Sequence, residues 1–261
     1  MNIRDKVVLI TGASEGIGAA CVRSFRDRGA KVVLTARSLP KLEAEAREGE
    51  VVVAADLMEV SGRRRIVDAA LERHGRIDIL INNAGVGLYA SSWCASDDEA
   101  RQLFELNFFA PLDLIRRVVP VMRKHRSGCI VNVSSIAGKM TLPWLSLYSA
   151  SKYAICSLTD GLRMELRSSG IRAIAVCPGY VRTDFQRHVI GAARAPGAVA
   201  QSRFLLISAR QCAEAIARGV ESDARTVVTP WTGWLAVAFA RLFPRVFDSQ
   251  LVRYQTGRGQ S

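Results

Sequence analysis

Long apolar runs are missing from this 261-residue chain, and so are paired cysteines, clustered histidines and low-complexity tracts. The apolar run of residues 229–247 is too short to span a bilayer and is interrupted by Arg241 and Pro244, so no transmembrane helix is expected. Cys21, Cys94, Cys129, Cys156, Cys177 and Cys212 show no Cys-x-x-Cys spacing, and His74, His125 and His188 lie in different segments. No metal site is therefore expected, and the cysteines read as reduced, mostly buried small hydrophobes. The absence of a Pro/Gly/Ser-rich linker or an internal repeat argues for one sizeable domain. Met1-Asn2-Ile3-Arg4-Asp5 leads straight into an apolar run with no room for a signal peptide, so a cytoplasmic protein is expected. Acidic residues are scarce, 24 against 36 Lys and Arg, giving a formal net charge of +12. That balance raises nucleic acid or an anionic membrane as partners. The arginines, however, fall singly on polar helix faces, as at Arg23, Arg26 and Arg28. The densest run, Arg63-Arg64-Arg65, lies where a solvated helix start is expected. No basic strip is interleaved with aromatics, so no specific nucleic-acid partner is expected.

What is present begins with residues 6–10, a continuous β-branched apolar run of the kind buried on both faces of a parallel sheet. It enters Thr11-Gly12-Ala13-Ser14-Glu15-Gly16-Ile17-Gly18 and then a helix-like stretch over residues 19–28. Strand, glycine turn and helix together are the context of a nucleotide site. Gly12 permits the tight turn, Gly16 lets the backbone approach a pyrophosphate, and Gly18 allows close packing of helix on strand. Further strand-like runs recur at residues 31–35, 50–54, 77–82, 129–133, 171–177 and 226–228, with helix-like stretches between them, clearest at 61–74 and 150–169. This alternation predicts an α/β fold: a doubly wound, Rossmann-type parallel sheet in a three-layer α/β/α single domain. The catalytic domain is expected over residues 1–228, with an amphipathic tail over 229–261.

Tyr148 and Lys152 stand four apart, and Ser135 lies thirteen residues before the tyrosine. On a helix, i and i+4 share a face. A lysine there is expected to stabilise tyrosinate and lower a phenol pKa that starts at about 10. The result is a proton donor and acceptor suited to carbonyl/alcohol interconversion, with Ser135 able to hydrogen-bond the carbonyl oxygen.

With these motifs in order, the chain resembles the short-chain dehydrogenase/reductase family over most of its length. The family's Thr-Gly-x-x-x-Gly-Ile-Gly falls on Thr11 to Gly18, and its Asn-Asn-Ala-Gly on Asn82, Asn83, Ala84 and Gly85. The resemblance implies catalytic roles for Asn107, Ser135, Tyr148 and Lys152, choosing Ser135 over Ser134 by its spacing to the tyrosine. Asn107 would hold a water linking the lysine to solvent, and Lys152 would also bind the nicotinamide ribose. It places the adenine at Asp56 and Leu57 and the nicotinamide at Pro178, Gly179, Val181 and Thr183. A homodimer or homotetramer is also implied.

The second strand ends Thr35-Ala36-Arg37-Ser38 with no carboxylate to hold a ribose 2′-hydroxyl. Arg37 can instead pair with a 2′-phosphate, so NADP(H) is the expected cofactor, with Glu15 in the glycine turn as the opposing feature. The substrate is read as a small-molecule ketone, aldehyde or alcohol, medium-sized or lipophilic. The expected substrate loop covers residues 184–208 with a lid-like centre at 191–197. Trp144, Leu145, Tyr180, Phe185, Phe204 and Leu205 are candidate pocket walls, or equally ordinary core. Trp231, Trp234, Leu235, Ala238 and Leu242 recur at helical spacing beside Arg241, Arg245 and Arg253. That stripe suits peripheral membrane contact or a lipophilic-substrate mouth, and equally a helix packed on its own domain or on a second subunit. Two alternatives stay open: an NADP-binding sensor or scaffold without turnover, and a 3-oxoacyl thioester reductase.

Overall fold

In the computed structural model, residues 1–183, 185, 189–191 and 205–256 are described, residues 253–256 by backbone alone. Seven strands form one parallel sheet: β1 Val7–Thr11, β2 Lys31–Ala36, β3 Val51–Ala54, β4 Ile79–Asn82, β6 Gly128–Val133, β7 Ile171–Pro178 and β11 Thr226–Thr229. Two small parallel ribbons, β5 Gly87–Leu88 with β9 Val189–Ile190 and β8 Tyr180–Arg182 with β10 Leu206–Ser208, sit apart from it. The sheet order is β3-β2-β1-β4-β6-β7-β11. The chain therefore winds outward from β1 in one direction and from β4 in the other. The crevice at the carboxyl ends of β1 and β4 is where such sheets bind ligands.

Strand residues alternate between two cores, as the period of two requires. Val8, Ile10, Val32, Leu34, Ile79 and Ile81 face Phe25 of α1 (Gly16–Arg26) and Ile216 and Val220 of α7 (Ala209–Ser222). Val7, Leu9, Val33, Leu80 and Ile130 face Ile66 of α3 (Val60–His74), Leu114 and Val118 of α5 (Ala110–Lys124), and Leu162 of α6 (Ser146–Glu165). This is the expected three-layer fold.

The boundaries differ where local signals are weak. Helix α6 begins at Ser146, not at residue 150, because the Ser149 amide already donates to the Leu145 carbonyl at 2.7 Å. It ends at Glu165, with a 3₁₀ turn over Arg167–Ser169 covering the remainder of the expected helix. Arg63 is not on a solvated helix start. It is 4% exposed, donating to the carbonyls of Leu57 at 2.6 Å and Met58 at 2.9 Å and pairing with Glu105. Arg23, Arg26 and Arg28 are paired as well, with Glu45, Glu50 and Glu214. The remaining helices are α2 (Leu39–Glu45), α4 (Asp97–Phe104), α8 (Gly233–Leu242) and α9 (Pro244–Thr256), with a π-helical turn over Glu105–Phe109 between α4 and α5. The tail is thus two successive helices, broken at Pro244, where the missing N–H cannot continue α8.

Candidate active site

One cavity of about 1250 Å³ runs along the carboxyl ends of β1, β4, β6 and β7. Its floor at one end is the glycine turn. Gly12 adopts a φ of 65°, and a Cβ on Gly18 would lie 1.9 Å from the Gly12 carbonyl oxygen, so α1 can close on the turn only through glycine. Ser14, Glu15, Gly16 and Ile17 line the cavity, whereas Gly18 lies behind it as packing. Thr11 fastens the turn to the next loop: its hydroxyl accepts from the amides of Asn83 at 2.9 Å and Ala84 at 3.0 Å. Asn83 returns a bond from Nδ2 to the Thr11 carbonyl at 2.9 Å. Asn83, Ala84 and Gly85 are so held on the cavity wall, with Asp56 and Leu57 beyond them.

At this end lie Arg37, Ser38 and a cation the sequence reading missed, Lys41 of α2. Arg37 is exposed and makes no ion pair among the described residues. Lys41 Nζ lies 2.9 Å from Glu15 Oε2, so the one carboxylate that argued against a phosphate here is matched by a lysine. No local motif announces that pair, because its partners are 26 residues apart. The donors, the glycine cradle and the cations fit a dinucleotide with its phosphates on the α1 N-terminus.

The other end of the cavity gathers Ser135, Tyr148 and Lys152 with Pro178, Gly179, Val181 and Thr183. The two serines are distinguished by their bonds. Ser134 is buried, with its hydroxyl donating to the Lys152 carbonyl at 2.8 Å, while the half-buried Ser135 lines the cavity with Tyr148, its hydroxyl accepting from the Ala137 amide at 3.1 Å. Lys152 Nζ donates to the Val133 carbonyl at 3.1 Å and lies 5.7 Å from the Tyr148 ring centroid. Burial pushes the Tyr148 phenol up to about 12, against a smaller lowering by the nearby Ser135 hydroxyl, and pushes Lys152 down to about 8. The expected depression of the phenol by Lys152 is not found: burial pushes the lysine down as it pushes the phenol up, so the lysine has lost its charge before the phenol would ionise.

Asn107 is buried in the π-helical turn and does not line the cavity. Its Oδ1 accepts from the Val86 amide at 2.9 Å, and its Nδ2 donates to the Val86 carbonyl at 3.0 Å and to Ser151 Oγ at 3.1 Å. Its side-chain amide is thus engaged by the backbone just after Gly85. A π turn of this kind inserts into a helix to aim one residue.

Leu145, Tyr180, Phe185 and Leu205 line the substrate end, with the Phe185 ring 6.1 Å from that of Tyr148. Trp144 does not line it. With a φ of 63° it packs between buried Tyr89 and exposed Trp93 and is itself partly exposed. Phe204 and most of the expected substrate loop, including residues 192–197, lie outside the described residues. Ala236 of α8 and Phe247 and Leu251 of α9 also reach the cavity, which the tail's spacing alone did not reveal.

Residues 6–192 match the family model for short chain dehydrogenases. The chain is 34% identical over 259 residues to a rat protein named dehydrogenase/reductase SDR family member 7B, covering 94% of this chain and 80% of that one. Among solved structures it resembles a Burkholderia cenocepacia short chain dehydrogenase in complex with NADP, with a TM-score of 0.80, 28% identity, and coverage of 96% of this chain and 99% of that one. It also resembles a Brucella melitensis 3-ketoacyl-(acyl-carrier-protein) reductase complexed with NADH, with a TM-score of 0.79, 27% identity, and coverage of 87% and 97%.

Proposed function

The chain belongs to the short-chain dehydrogenase/reductase family, and on that premise we propose that it is an NADP(H)-dependent oxidoreductase interconverting a ketone or aldehyde with an alcohol. The observation that carries this reading is the convergence of Ser135, Tyr148 and Lys152 at one end of a cavity whose other end is the glycine cradle. A bound nicotinamide supplies the hydride. In the reductive direction Tyr148 gives its proton to the carbonyl oxygen, and burial keeps that proton on the phenol at neutral pH. Ser135 hydrogen-bonds the same oxygen as charge develops. Lys152, pushed down to about 8, stands beside the phenol as a group able to exchange protons near neutral pH. Asn107 fixes the backbone after Gly85 against which this end of the cavity is built.

The preference for NADP(H) rests on Arg37 and Lys41 at the adenosine end, two cations where an NAD-selective site of this fold carries an acid. The substrate is medium-sized or lipophilic, in keeping with the Phe185, Leu145, Leu205 and Phe247 walls. Tyr153 and Met164, eleven residues apart on one exposed face of α6, suit a homo-oligomer contact that light scattering would reveal. The free thiols, five of them buried, suit a reducing compartment such as the cytoplasm.

The test is kcat/KM with NADPH and NADH against ketosteroids, retinal-type aldehydes, 3-oxoacyl thioesters and sugars. NADPH is expected to win, and Arg37→Asp to reverse the order by removing a charge-assisted pair and adding a repulsive carboxylate. Equal kcat/KM for the two cofactors in the unmodified protein overturns the preference. Thioester reduction above all other substrates would move the reading to a 3-oxoacyl thioester reductase. Tight NADPH binding with no turnover would leave a sensor or scaffold.

A further inference from the structure

The tail formed by α8 and α9 has two apolar faces. Its inner face is used: Val237 is 2% exposed against Ile136, Met140, Cys156, Cys177 and Val228, while Ala236, Phe247 and Leu251 reach the cavity. Its outer face is bare. Trp231 is 70% exposed, Leu235 62% and Leu242 72%, and Phe239 stands between the last two. Leu235, Phe239 and Leu242 of α8 recur at steps of four and three, which is one stripe of a helix, and Trp231 stands in the turn just before it. Among the described residues, eight of the sixteen large apolar side chains that are exposed lie between Trp231 and Val252. A patch of this concentration, next to the opening of a cavity, marks a contact surface.

Charge decides what contacts it. Exposed Arg241 and Arg245 lie on this tail with Asp248 as the one acid in residues 229–252, in a chain of formal net charge +12. A second copy of the chain would bring the same basic surface to a symmetric contact and repel it. An anionic lipid surface has the complementary sign, and tryptophan at its edge is favoured at the headgroup level. No helix among the described residues is long and apolar enough to cross a membrane, so the tail would lie in the interface plane.

We propose that the outer face of α8 and α9 docks the protein on an anionic bilayer, setting the cavity opening against the lipid so that the carbonyl substrate enters from it. Docking stands on the exposed face alone; entry of substrate from lipid rests also on the reductase reading above.

The full chain is floated with vesicles of phosphatidylcholine alone and of phosphatidylcholine with phosphatidylserine. It is expected to float with the second and at least tenfold less with the first. The triple variant Trp231→Ser, Leu235→Ser, Leu242→Ser should lose at least tenfold in vesicle affinity while its lipid-free kcat/KM for cyclohexanone stays unchanged. Arg241→Gln with Arg245→Gln should lose roughly fivefold per arginine. Absence of flotation on anionic vesicles overturns docking. So does a lipid-free dimer that the triple variant dissociates, since the face would then be an interface between copies. For entry from lipid, reduction of hexadecanal dissolved in the vesicles should fall at least tenfold in the triple variant. Flotation with unchanged hexadecanal rates in that variant refutes entry and keeps docking. If the unmodified protein reduces neither carbonyl, the reductase reading and lipid entry fail together, and flotation still decides docking.

Discussion

Replacing Asn107 by alanine removes three hydrogen bonds: two that tie down the Val86 amide and carbonyl, and one to Ser151. Val86 is half-buried, so water replaces part of what its backbone loses, and each of those bonds is worth about 1 kcal/mol. The Ser151 bond is buried, but Ser151 Oγ still donates to the Tyr148 carbonyl at 2.7 Å, so what it loses is a donor to its lone pair. The sum is about 3 kcal/mol. For a chain of this size that lowers Tm by roughly 6–12 °C. The same change frees the backbone beside Gly85, where an added Cβ would sit 2.9 Å from Asn107 Oδ1 and 3.3 Å from Lys152 Nζ. A drop in kcat of at least about tenfold, or ~1.4 kcal/mol of transition-state stabilisation, is expected with it. Scanning fluorimetry with and without NADPH, alongside steady-state kinetics, reads both. A Tm within about 2 °C of the unmodified protein together with a hundredfold loss of kcat would refute this reasoning. Asn107 would then act on the reacting groups and not by fixing Val86.

Tyr148→Phe should remove nearly all turnover and leave the NADPH Kd little changed; survival of more than a tenth of kcat, under about 1.4 kcal/mol, contradicts its role as proton donor. Gly18→Ala should weaken NADPH binding at least tenfold and lower Tm, because a Cβ 1.9 Å from the Gly12 carbonyl must push backbone apart; titration calorimetry with normal affinity would show that α1 can move freely. With Lys152 pushed down to about 8, kcat/KM with NADPH should be level to about pH 8 and fall above it, and a profile level to pH ~10 would remove the ammonium from the mechanism. The same shifts act on stability with opposite signs. Lys152, from 10.5 unfolded to about 8 folded, costs most below about pH 8 and relieves that cost as pH rises toward 10.5. Tyr148, from 10.0 unfolded to about 12 folded, subtracts stability above about pH 10. The Tm gained by Lys152→Met over the unmodified protein should therefore shrink between pH 8 and 10.5.

The sequence by itself determined the sheet, the glycine turn and the pairing of Tyr148 with Lys152, because each is written in short-range spacing. Continuous β-branched runs specify a strand buried on both faces, three glycines specify where a helix may close on a strand, and four residues specify one helical turn. The tertiary structure decided what depends on distant partners. Glu15 meets Lys41 only because α2 is brought beside the α1 N-terminus, and this turned the feature opposing a phosphate site into a neutral one. Arg63, read as solvated, is buried because Glu105 and the carbonyls of Leu57 and Met58 converge on it from two other segments. Asn107 is engaged by Val86, 21 residues away, and Trp144 packs between Tyr89 and Trp93 on a left-handed backbone that no local pattern announces. Burial, too, belongs to the fold. A lysine four residues from a tyrosine lowers its pKa in water, but here burial pushes the lysine down and the phenol up, so the lysine is neutral before the phenol would ionise.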